Sequence, residues 1–139
     1  MRPRRFFQLL GVTLLVMSLN VAVSFLWVAV YSHLVNPGHD LAFYQSYAQV
    51  AAPYSSVLAG IPLVYAFGRW VARWGYREAP MKHAMVLWLT YVTLDVIIMV
   101  AAGAAGRLAA IAVVSIATKG LAAFAAGRAE FRLSTAAVA

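Results

Sequence analysis

The sequence predicts an all-α membrane protein in which four transmembrane helices form an antiparallel bundle. Of the 139 residues, 64% are hydrophobic and 11% are charged, whereas soluble domains carry about 25% charged residues. A bilayer-spanning helix takes about 20 apolar residues, so the length accommodates about four spans and no separate soluble domain. Residues 1–139 are therefore predicted to be a single transmembrane domain.

The first predicted span covers residues 6–35. The basic segment before it, residues 1–5, is similar to the start of a signal peptide. The apolar segment of a signal peptide is about 7–15 residues long, and this one is much longer. The sequence therefore predicts an uncleaved membrane anchor.

The second predicted span covers residues 50–74 and follows a turn at Asn36-Pro-Gly. Asp40 is a suitable N-cap for the next helix. The helical pattern from residue 41 onward is too long for one span, so residues 41–51 are predicted to form a short interfacial segment on the outer side. Pro53 and Pro62 are expected to kink the span, because proline removes an intrahelical donor.

The third and fourth predicted spans cover residues 83–102 and 108–126. The link between them, residues 103–106, is short. Helices joined by so short a link are expected to be antiparallel neighbours.

The basic residues predict the orientation of the bundle. With the N-terminus inside, nine of them lie inside and only Arg107 lies in an outer loop, a bias typical of cytoplasmic loops. Both termini are therefore predicted to be cytoplasmic, in a bacterial inner membrane, with anionic lipid headgroups as partners and no nucleic acid. The nine inner residues are Arg2, Arg4, Arg5, Arg69, Arg73, Arg77, Lys82, Arg128 and Arg132.

Two ionisable residues fall within predicted spans, Asp95 in the third and Lys119 in the fourth. Such residues cost at least about 2.5–3.5 kcal/mol each in a membrane, so they are usually paired or functional. We expect an ion pair between them, with Ser115 and Tyr91 each one helical turn away. The pair either fixes helix register or couples to protons or substrate; alternatively, Lys119 extends alone to the inner interface.

Asn20 lies near the middle of the first span. An amide at that depth is expected to bond to another helix, either as a packing contact or as a ligand for an ion or substrate.

The outer loop contains His33, His39 and Asp40, whose side chains are suitable zinc or copper ligands. Their spacing matches no specific metal motif, and helix capping with interfacial histidines is the simpler interpretation. No cofactor is predicted, and the lack of cysteine excludes disulfides and thiolate chemistry.

Basic and aromatic residues form a belt at the C-terminal end of the second span. It is predicted to anchor this end in the headgroup region, with tryptophan at the interface and arginine on anionic lipid. Its members are Arg69, Trp70, Arg73, Trp74 and Arg77.

Three functions are compatible with these residues. The first is an accessory or structural subunit of a membrane assembly, suggested by the small size and by the small residues along the fourth span. The second is a small oligomeric transporter or channel that uses Asp95 and Lys119. The chain is similar in size to small multidrug-type exporters, but those have an acidic residue in the first span, where this sequence has Asn20. The third is metal or ligand binding at the outer loop. No catalytic motif is found, so an enzyme is not expected.

Overall fold

Four long helices make up the part of the chain that the structure describes. The computed structural model describes residues 3–74, 79–103 and 105–136, and these residues contain no β-strand. Helix α1 (Pro3–Val30) continues into a π-helical turn (Tyr31–Val35), and α2 (Leu41–Arg73), α3 (Pro80–Ala101) and α4 (Ala105–Ala136) follow. All four helices are long and apolar enough to cross a membrane, as expected of a multi-pass membrane protein.

Helix α2 is longer than the predicted span. It begins directly after Asp40, whose carboxylate accepts a 2.9 Å hydrogen bond from the backbone N–H of Phe43, so the predicted N-cap is confirmed. The helix then runs without interruption through Pro53 and Pro62 to Arg73. The residues predicted to form an interfacial segment are therefore the first turns of the same helix.

Helix α4 extends beyond its predicted end at residue 126 and reaches Ala136. One face of this helix is buried from Lys119 to Glu130: Lys119, Ala123, Ala126 and Glu130 are each at most 2% exposed. Their spacing of four, three and four residues is the spacing of a single helical face. The added turns therefore bring Glu130 into the bundle, although the fourth span was predicted to end at residue 126.

The distribution of side chains suits a hydrocarbon environment. A core of mainly aliphatic residues from all four helices lies inside, but so do Lys119, Glu130 and Asn20. Large apolar side chains such as Phe25, at 74% exposure, point outward. Charged groups inside and apolar groups outside are the arrangement expected when lipid surrounds the bundle.

Glycines allow α4 to approach its neighbours closely. A Cβ atom at Gly68 of α2 would lie 3.1 Å from Cβ of Ala126, and one at Gly127 would lie 2.9 Å from Cα of Met81. Both contacts would be tighter than ordinary packing. The small residues of α4 that face α2 and α3 therefore serve packing within the chain.

The glycine contacts predict the effect of one added methyl group. Gly127→Ala should lower the free energy of unfolding by about 1–3 kcal/mol, because its methyl group would press on the backbone of α3. Gly11→Ala is the matched control, since a Cβ there meets no atom within 4 Å and alanine is favoured over glycine in a helix by about 0.5–1 kcal/mol. Thermal unfolding in detergent, followed by circular dichroism, measures both. Equal melting temperatures for the two variants would contradict this packing.

Candidate functional site

Lys119 is enclosed by the bundle rather than extended to a membrane surface. It is 1% exposed. Its ammonium donates to the hydroxyl of Tyr91 at 3.1 Å and to that of Ser56 at 3.4 Å, and it lies 4.5 Å from the centroid of the Tyr91 ring. The aliphatic part of its side chain packs over Gly60, where an added Cβ atom would overlap Cε of the lysine. The glycine therefore provides the space that the lysine occupies.

Asn20 joins the same group from α1. It is 4% exposed, and its Nδ2 donates to Ser56 Oγ at 2.7 Å and to Tyr91 Oη at 2.9 Å. The two hydroxyls thus receive bonds from both Asn20 and Lys119. We call these four residues, one from each helix, the polar node.

The polar node contains more hydrogen-bond donors than acceptors when Lys119 is protonated. The ammonium, the Asn20 amide and the two hydroxyls all donate, whereas the acceptors are the two hydroxyl oxygens and Asn20 Oδ1. Oδ1 is buried without a protein partner. Rotating the amide by half a turn would pair Oδ1 with the hydroxyls and leave Nδ2 unpaired instead. In either orientation the node stabilises a positive charge through neutral oxygens.

The predicted direct contact between Asp95 and Lys119 is not made. Within the described residues, the ion pairs closer than 4 Å are those of Glu130. The ammonium instead donates to the hydroxyls of Ser56 and Tyr91, and its side chain passes over Gly60. Asp95 remains near enough for a Coulomb attraction to Lys119.

Asp95 instead lines a cavity of about 650 Å³ between α2, α3 and α4. The carboxylate is half-buried. Its polar neighbours on the wall are Gln49, Ser56 and Ser115. Because Ser56 belongs to both structures, the polar node and the cavity adjoin. The remaining wall is apolar and consists of Val50, Ala52, Pro53, Ile98, Met99, Ala102, Ile111 and Ala112.

The belt at the end of α2 makes a contact that the sequence did not predict. Nε of Arg69 lies 2.6 Å from one carboxylate oxygen of Glu130, and Nε of Arg73 lies 3.3 Å from the other. Glu130 is 2% exposed, so the two arginines also bind α2 to α4. The spacing of Glu130 from Lys119, along one helical face, is the signal that identifies it in the sequence.

The aromatic members of the belt face outward or contact each other. Trp70 is 47% exposed, and its ring meets that of Trp74 edge to face with centroids 5.6 Å apart. Arg77, the fifth predicted member, lies outside the described residues, as does Arg2.

The outer-loop residues make local contacts. Nδ1 of His33 lies 2.9 Å from the carbonyl oxygen of Ala29, and Nε2 of His39 lies 3.2 Å from Asn36 Oδ1. Asp40 caps α2. Among the residues that the structure describes, no group of three or more His, Asp or Glu side chains is placed to hold a metal ion. The geometry therefore gives no support to the metal hypothesis.

The polar node predicts that the Tyr91 hydroxyl stabilises the bundle. Tyr91→Phe should lower the free energy of unfolding by about 1–3 kcal/mol, because Lys119 and Asn20 both lose an acceptor in an apolar environment. Tyr54→Phe is the same chemical change at a side chain that is 62% exposed, and it should change little. Unfolding of the purified variants by a denaturing detergent measures both. A Tyr91→Phe variant as stable as Tyr54→Phe would show that the node does not hold the helices.

Comparisons with protein-family models, with curated proteins and with solved structures find no match for this chain. Its function therefore has to be inferred from the polar node and from the cavity beside it.

Proposed function

We propose that this chain is a small membrane transporter that binds an amphipathic molecule in the cavity beside the polar node. The observation that carries the proposal is the position of Asp95, a half-buried carboxylate on the wall of an otherwise mainly apolar cavity. Ligand sites are typically concave and apolar with a few polar groups that orient the ligand. The cavity of about 650 Å³ falls in the size range of such sites.

A comparison within the chain supports a functional role for Asp95. Glu130 has the features of a structural carboxylate, since it is 2% exposed and bonded to Arg69 and Arg73. Asp95 has no such partner among the described residues and faces open space. An intramembrane carboxylate is costly, and one that is left available is more useful for binding than for holding helices together.

The proposed topology has antiparallel helices and both termini in the cytoplasm, in a bacterial inner membrane. The order of contacts supports it: Nε1 of Trp88 donates to the carbonyl of Ile116, whereas Met81, seven residues earlier, packs against Gly127. The inner end would be the end of Arg69 and Glu130, next to anionic lipid headgroups. The cavity then lies in the outer half of the membrane. Pro53 lines this cavity, so a bend of α2 at Pro53 would change the width of the cavity.

The role of an accessory subunit is less well supported by the packing. The small residues of α4 suggested a surface for another chain. Gly120 instead faces the Trp88 ring, with a Cβ position only 3.0 Å from it, and Gly127 faces Met81. These two glycines already pack inside the bundle, so they are not available to a partner chain.

Uptake into proteoliposomes tests the proposed transport. Three labelled probes with similar apolar bodies are compared: tetraphenylphosphonium, tetraphenylborate and neutral triphenylphosphine oxide. We expect at least one probe to enter faster than in protein-free liposomes. Ala112→Phe should reduce that difference about tenfold or more, because the ring would project into the cavity and take space that the probe needs.

Val113→Phe is the matched control, since it places the same ring on the adjacent residue, which is 65% exposed on the outside of the bundle. It should transport like the wild type. The proposal fails if all three probes enter at the protein-free rate, or if Ala112→Phe and Val113→Phe behave alike.

A further inference from the structure

We infer that the cavity selects a lipophilic monocation, meaning an ammonium, phosphonium or guanidinium group on an apolar body, with Asp95 as its direct counter-ion. This inference rests on the proposed function and specifies its ligand class. It depends on which of the two nearby charges a ligand in the cavity can touch.

Asp95 is the one charged side chain on the cavity wall within the described part of the chain. Lys119 is close by but is not part of the wall. It is 1% exposed, and its ammonium is bonded to the hydroxyls of Ser56 and Tyr91. A ligand anion would therefore meet the Asp95 carboxylate first and would be repelled, whereas a cation would form an ion pair.

The surroundings of Asp95 strengthen such a pair. The cavity walls around it include Ile98, Met99 and Ile111, so an ion pair there experiences a lower dielectric than in water. The same walls bury the apolar body of the ligand. A half-buried carboxylate with no direct partner among the described residues gains one when a ligand cation binds.

The polar node limits the charge of the ligand. When Lys119 is protonated it places a positive charge near the cavity, and Asp95 supplies one negative charge. A dication would leave one charge unpaired beside the lysine. The arrangement therefore favours a single positive charge, placed on the side of the cavity where Asp95 lies.

Binding to the full chain in lipid nanodiscs tests this inference, with empty nanodiscs as the blank. Tetraphenylphosphonium and tetraphenylborate have the same shape and opposite charge. Equilibrium dialysis should show tetraphenylphosphonium bound at least about tenfold more tightly than tetraphenylborate. Asp95→Asn should lose at least about tenfold in affinity for the cation, because one partner of a desolvated ion pair is removed.

Asp40→Asn is the matched control. It makes the same change at an exposed helix cap, away from the cavity lining, where asparagine also caps well. It should bind the cation like the wild type, and melting temperatures of both variants verify that they are folded.

The outcomes separate the ligand class from the proposed function. Tighter binding of tetraphenylborate, or equal binding of the cation by Asp95→Asn and Asp40→Asn, overturns the inference about charge. If Ala112→Phe still lowers the affinity for the probe in that case, the cavity remains a binding site and the proposed function stands. If Ala112→Phe changes the affinity for none of the probes, the inference about charge and the proposed function are both overturned.

Discussion

A lysine ammonium among apolar helices has no water to bind, so the protein itself has to supply its hydrogen-bond acceptors. In this chain they come from Ser56 on α2 and Tyr91 on α3, and Asn20 on α1 bonds to the same two hydroxyls. Each of these hydrogen bonds forms only when its helix has a particular depth in the membrane and a particular rotation about its own axis. The burial of Lys119 thus constrains the packing of all four helices, and Gly60 is the position that leaves room for it.

A second buried charge fixes the C-terminal part of α4. Glu130 lies 11 residues after Lys119, which is about 16 Å along a helix, and it bonds to Arg69 and Arg73. Between the two charges, Ala126 packs closely on Gly68. Helices α2 and α4 are therefore joined tightly on one side of Lys119. On the other side they separate around the cavity, where Asp95 has no direct partner among the described residues.

The sequence was sufficient to predict the four helices, because apolar length and charge placement determine which segments suit a bilayer. It also identified Asn20, Asp95 and Lys119 as unusual at their depth. It did not identify Ser56 as a partner of Lys119, because chain order relates α3 to α4 but says nothing of how α1 and α2 are rotated against them. Ser56 was missed for that reason, since a serine in a span is unremarkable until the packing places it beside a charge.

Lysine reactivity tests most directly whether Lys119 lies inside the bundle. The chain has two lysines, Lys82 and Lys119, and Lys82 is exposed. Acetylation with a reagent that dissolves in the bilayer, quantified at each site by mass spectrometry, compares them in the folded protein. The structure predicts rapid labelling of Lys82 and strong protection of Lys119 until the protein is unfolded. Equal labelling rates in the folded protein would place Lys119 outside the bundle and contradict the polar node.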